Sequence, residues 1–264
     1  MFTPATTIDE VIASLEKIIS ESVSNNTRFG YFATLYLKVT TAVKQGIANG
    51  QFQNGPRMEK LDVTFANRYL NAYYLWQNKQ EPTQSWKLAF QALEKSSLLI
   101  LEHLLLGMSA HINLDLGIAT VETAGSEPLE SIHTDYNIMN DIIGGLTAGV
   151  IAGLDQVSPL LSLLGLHAGN NDSVLIQFSI VNARDGAWCF AGELYGKTGH
   201  DMDKAIEQRD QNIFTLGSSL IHQKGLIAFT IWLIHVFELK TPKKIINILN
   251  GNAKKHFTIG KNLN

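Results

Sequence analysis

The stretch Ser97–Ala119, SLLILEHLLLGMSAHINLDLGIA, is apolar on every helix face, so its few polar residues are the ones that stand out chemically. His111 and Asp115 are four residues apart and therefore lie one turn above another on one face. His103 lies eight residues earlier, about 80° round, with Gly107 leaving space between. An ionised Asp115 in that setting needs a cation, an imidazolium, an arginine or backbone donors. A divalent metal meets the need, because imidazole and carboxylate suit zinc, iron or manganese. A metal-free dyad also meets it, with Asp115 holding His111 in one tautomer as a general base. A satisfied hydrogen-bond network that fixes helix register is the third reading.

Other residues are candidates to complete such a site. In RMEKLDVTFANRYLNAY, Asp62 is a carboxylate in an apolar context. Ideal helix geometry puts it on a face with Tyr69, and puts Arg57, Leu61, Thr64 and Arg68 on another, where Arg68 serves equally as a surface charge. In HTDYNIMND, a loop is expected to deliver His133 and Asp135, with helix capping as the alternative role of Asp135. In NARDGAW, Arg184 is four residues from Trp188, close enough for cation–aromatic stacking, and it can also neutralise a buried carboxylate or a substrate's acid group. The expected site has His103, His111 and Asp115 as metal ligands and Asp62, Asp135 and Arg184 as catalytic groups. Cys189 reads as a small core residue, and His167, His200, His222 and His235 as ordinary histidines.

Helices must position these groups, since sustained period-two alternation is absent and helix punctuation recurs throughout. Thr6 or Thr7 starts a helix to about Val23, and a second runs from about Thr27 to Ala48 before Gly50. Asn54-Gly55-Pro56 starts a third, and Pro82-Thr83 a fourth. The central helix is expected from Ser96–Ser97 to Gly125. A glycine-spaced helix over about 136–154 follows, where Gly145, Gly149 and Gly153 offer a stripe for close packing. Later helices are expected near 172–195, 201–220 and 225–239, and after Thr241-Pro242. The fold class is all-α: one domain over 1–250, a bundle of roughly nine or ten helices around the buried helix at about 97–124, with a polar basic tail over 251–264.

Of the 264 residues 45% are hydrophobic, enough for a sizeable core, and the formal charge of −3 carries no basic stripe for a nucleic-acid backbone. The single cysteine forms no internal disulfide, and MFTPATTIDE lacks a signal-peptide pattern, so a cytoplasmic location is expected. The apolar runs 142–154 and 226–239 fall short of the roughly 20 residues of a spanning helix and read as buried core helices. Serine-hydrolase, phosphate-loop, dinucleotide-binding and paired-cysteine motifs are absent, as is the Glu-x-x-His pair of helical di-iron proteins.

The segments RMEKLDVTFANRYLNAY, EHLLLGMSAHINLDLGIAT, HTDYNIMN and NARDGAW together resemble an uncharacterised bacterial family of domains of unknown function, over about Arg28 to Leu194. Locally, Gly107-x-x-x-His111-x-x-x-Asp115 is similar to the metal-binding helix of all-helical zinc-dependent phospholipases and nucleases, without the Pro-x-His that usually follows the Asp. These observations lead to the expectation of a metal-assisted small-molecule enzyme, a hydrolase or a lyase or isomerase. The alternatives are a non-catalytic binding protein for an apolar small molecule and a metal-free His–Asp acid/base enzyme.

Overall fold

The computed structural model describes residues 2–167 and 180–259, and these form an all-helical single domain without strands. The α-helices are α1 (Ile8–Asn25), α2 (Gly30–Ala48), α3 (Gly55–Gln77), α4 (Gln84–Ala92), α5 (Ile100–Ala110) and α6 (Leu116–Ala124). They continue as α7 (His133–Val157), α8 (Ile180–Leu194), α9 (Gly199–Ile221), α10 (Gly225–Phe237) and α11 (Pro242–Ile259). The boundaries follow local chemistry. The Thr7 hydroxyl accepts the Glu10 N–H, and the Glu10 carboxylate reaches back to the Thr6 N–H, which satisfies two donors at the start of α1. Asn54 accepts the Arg57 N–H at the start of α3, with Pro56 in the first turn.

The central helix is broken by geometry, not by composition. Between α5 and α6, residues His111–Asp115 form a π-helical turn, an insertion that re-aims side chains within an otherwise α-helical rod. Its start lies at Ile100, later than expected, because Glu102 accepts the Leu99 N–H and Glu238 accepts the Ile100 N–H. Taken together, Ile100–Ala124 is long and apolar enough to cross a membrane, yet 89% of its most apolar stretch is buried inside the fold. Helices α2, α4 and α9 pack on α5, and α3 and α8 on α6. Gly117 permits the closest of these approaches: a Cβ there would lie 2.7 Å from Phe190 Cδ1 and 2.9 Å from the Ala187 carbonyl oxygen.

Several expectations are corrected. Gly107 leaves no open space, since the Phe32 ring fills the notch, 2.8 Å from where a Cβ would stand. His133 and Asp135 sit in the first turn of α7, not in a loop. A Cβ on Gly145 would meet nothing within 4 Å, so at that position the glycine stripe is not a close contact. Helix α10 is not a buried core helix but exposes most of its large side chains, and Cys189 is exposed as well. Helix α11 runs through Gly251 to Ile259. The expected helix start near Asp172 lies outside the described residues.

Candidate functional site

Asp115, at the end of the π-helical turn, is buried and fully engaged. Its Oδ1 accepts from Arg68 Nε at 2.8 Å, and its Oδ2 accepts from Trp86 Nε1 at 2.8 Å and faces His111 Nδ1 at 3.2 Å. Burial pushes this carboxyl up, but Arg68, His111 and Trp86 outweigh it and hold it below the ordinary carboxylate range. Asp115 is therefore ionised at neutral pH. For His111 burial dominates and lowers its proton affinity, against the opposing pull of Asp115, so the imidazole is neutral. A neutral imidazole beside an anchored carboxylate keeps its proton on Nδ1 and leaves a lone pair on Nε2. That Nε2 is buried without a hydrogen-bond partner.

An aromatic cage fixes the imidazole plane. Phe65 stacks on it at 3.6 Å between centroids and 6° between planes, and Tyr36 meets it edge-on at 4.5 Å. His111 forms part of the wall of a cavity of about 330 Å³, lined otherwise by apolar residues of α2, α3, α5 and α7, together with Tyr36, Ile180 and Arg184. The Tyr36 hydroxyl is buried near the Thr40 hydroxyl and the Asp62 carboxyl group. The described residues of this wall include no Ser, Thr, Cys, Lys, Asp or Glu. On the outer side, Arg68, Trp86 and Asp115 line a separate open cleft of about 410 Å³ with Asn67 and Asn71. The dyad thus stands between a polar cleft and an apolar chamber.

Arg184 occupies that chamber from α8. It is 3% exposed, donates to Asn140 Oδ1 and to the Tyr136 carbonyl at 3.0 Å, and lies 4.6 Å from the Tyr136 ring centroid. Its aromatic partner is Tyr136 and not Trp188, which stacks on His133 at 4.5 Å instead. Among the described residues no carboxylate lies within ion-pair distance of Arg184.

The other expected site residues are elsewhere. His103 packs near Tyr31 and faces a separate small cavity with Arg28, His235, Glu238 and Lys240. Burial, with Arg28 and His235, lowers its pKa to about 3. Asp135 accepts the Gln53 N–H at 2.7 Å and the Asn54 N–H at 3.0 Å, with Arg57 at 3.5 Å, so it ties α7 to the entry of α3. Capping, on a helix other than its own, is its role. Asp62 is buried with Oδ2 unpartnered, and burial, helped by Glu59, raises its pKa to about 7. It does not line the chamber. On α3 the residue that reaches the cluster is Arg68, and on α4 it is Trp86, which the sequence marked by nothing more than a place in a short helix.

These placements bear on the metal expected at His103, His111 and Asp115. Among the described residues, no three His, Cys, Asp or Glu side chains are arranged to hold one ion. His103 and His111 face different cavities, and both Asp115 oxygens already bind protein donors. The residues present do not fit a divalent metal at this place.

No curated protein and no solved structure matches the chain. Residues 8–223 match the family described as a family of unknown function, DUF5995. With that match covering most of its length, the chain belongs to the DUF5995 family.

Proposed function

We propose that this protein is a metal-free acid/base enzyme for a predominantly apolar small molecule, with His111 as the general base and Asp115 as its positioning partner. One observation carries the reading: an unpartnered imidazole nitrogen belongs to a ring in the wall of an apolar chamber, while the other nitrogen is fixed by an anchored carboxylate. A buried nitrogen without a partner costs free energy that a bound molecule can recover. The low proton affinity of His111 keeps it in the basic form at neutral pH, ready to take a proton from a bound molecule.

The lining narrows the reaction class. With no Ser, Thr, Cys or Lys among the described lining residues, the usual hydroxyl, thiol and amine nucleophiles of covalent catalysis are not supplied by them. Proton abstraction and return, as in an isomerase or lyase, needs only the base and a donor, and Tyr36 in the same wall carries the one hydroxyl among the described lining residues. Arg184, which has no ion pair within bonding distance among the described residues, suits an acidic or carbonyl-bearing end of the molecule.

The test starts with solvent extraction of the purified protein and mass spectrometry of whatever the chamber retains. The extracted compound, and a panel of apolar ketones and acids, are then incubated with protein in heavy water. Wild type is expected to exchange carbon-bound hydrogen for deuterium, and His111→Phe to retain binding while exchange falls at least about a hundredfold. A compound that binds the chamber without exchange in wild type overturns the enzymatic reading in favour of a binding protein.

A further inference from the structure

Helix α10 presents an apolar face that stays exposed among the described residues. Leu226 is 80% exposed, Phe229 60%, Trp232 57%, Val236 51% and Phe237 58%. Leu226, Phe229, Trp232 and Val236 are spaced by three and four residues, and with Phe237 beside Val236 they form one broad exposed ridge, whereas Ile227 and Ile234 point inward to the core. Single exposed apolar residues are ordinary, but a contiguous ridge of three aromatics and two aliphatics marks an interaction surface.

Charge identifies the occupant. The family match ends at residue 223, and from there to residue 264 the chain carries seven lysines and one acid, Glu238. Glu238 is buried at the start of α5. Lys224 stands directly before α10, and Lys240, Lys243 and Lys244 follow it, all exposed. The chain as a whole is acidic, so this basic end is a local feature. A helix of this length spans about 20 Å, too short for a hydrocarbon core of about 30 Å. An isologous dimer through the ridge would bring the same lysines of two copies together, and the one acid of their own segment, Glu238, is buried. An apolar ridge with Trp and Phe, bracketed by lysines, matches the interface of an anionic bilayer, where the rings sit at headgroup depth and the ammonium groups meet lipid phosphates.

We propose that α10 and the flanking lysines dock this protein on the surface of an anionic lipid membrane, without crossing it. This surface does not depend on the chemistry assigned to His111.

Flotation of the full chain with vesicles tests the proposal, using equal parts of phosphatidylglycerol and phosphatidylcholine, or phosphatidylcholine alone. Wild type is expected to float with the anionic vesicles and to be released at about 0.5 M salt. Phe229→Ser combined with Trp232→Ser is expected to weaken association at least about tenfold while circular dichroism stays helical. Lys243→Glu with Lys244→Glu is expected to do the same. A readout on the unmodified chain is quenching of tryptophan emission by brominated lipid, lost on Trp232→Phe. Wild type that stays monomeric by light scattering and does not float overturns the proposal. So does a wild-type dimer that ignores vesicles and becomes monomeric on the Phe229/Trp232 change, which would assign the ridge to a second copy.

Discussion

Asp115 is bound by three donors from three different helices, and that is why His111 has a fixed orientation. The arrangement separates two roles that sequence spacing alone merges. Asp115 stabilises charge and geometry, and His111 presents a free nitrogen. Asp62 shows the opposite condition, a buried carboxyl with an unpartnered oxygen and a pKa raised to about 7. The sign of its pH effect follows. Below the ordinary carboxylate value both folded and unfolded chains hold the proton, and stability is unaffected. As pH rises from about 4 to about 7 the unfolded chain releases the proton first, so the native state loses stability, and above about 7 the loss is complete. Asp62→Asn removes this titration. In urea titrations the variant should therefore gain on wild type as pH is raised from 4 to 8, by at most about 4 kcal/mol. A variant-minus-wild-type difference that is flat with pH would mean that Asp62 is solvated or paired in solution. His103 works in the other direction: with a folded pKa of about 3, it leaves the unfolded chain to take a proton first as pH falls below about 6.5, which costs stability on the acid side.

At the scale of elements, the π-helical turn and the close contact at Gly117 set the chamber. The turn places His111 in the aromatic cage and Asp115 against α3 and α4. Gly117 brings α8 close to α6, and α8 in turn carries Arg184 into the chamber wall. Gly117→Ala would drive a methyl group into the Phe190 ring and the Ala187 carbonyl, and the backbone atom cannot rotate away. The expected cost is about 1–3 kcal/mol in chemical denaturation. Reduced retention of chamber ligand should accompany it. Unchanged stability would show that α8 can slide without cost, and that its approach to α6 is not what holds Arg184 in place.

For the whole molecule, the family region and the C-terminal arm share one core. Ile246 on α11 is fully buried, and its Cδ1 lies 2.6 Å from where a Cβ on Gly30 would stand, so α11 closes a notch in α2 although it lies outside the family match. Glu238 adds a second tie by capping α5 from beyond α10. Ile246→Ala should therefore destabilise the entire domain by about 2–5 kcal/mol in a single cooperative transition. A separate early transition confined to the arm would instead show that α10 and α11 fold as an independent unit. The exposed ridge of α10 thus lies on an arm tied to the family region by Glu238 and Ile246.

The amino-acid sequence determined the helical class, nearly every helix boundary set by a cap or a proline, and the burial of most of Leu99–Ala119, because these depend on local periodicity and on side chains within a turn of one another. Thr7, Asn54 and Pro242 act where their spacing predicts. The sequence also identified His111 and Asp115 as a pair, since four residues along a helix always meet. Only the tertiary structure decided which partners Asp115 has. Arg68 and Trp86 are 47 and 29 residues away, and a π-helical turn shifts the faces that ideal geometry assigns. The same holds for the separation of His103 from His111, for Asp135 capping a helix other than its own, and for the outward face of α10. Apolar composition states that a surface prefers to be covered, and only packing states what covers it.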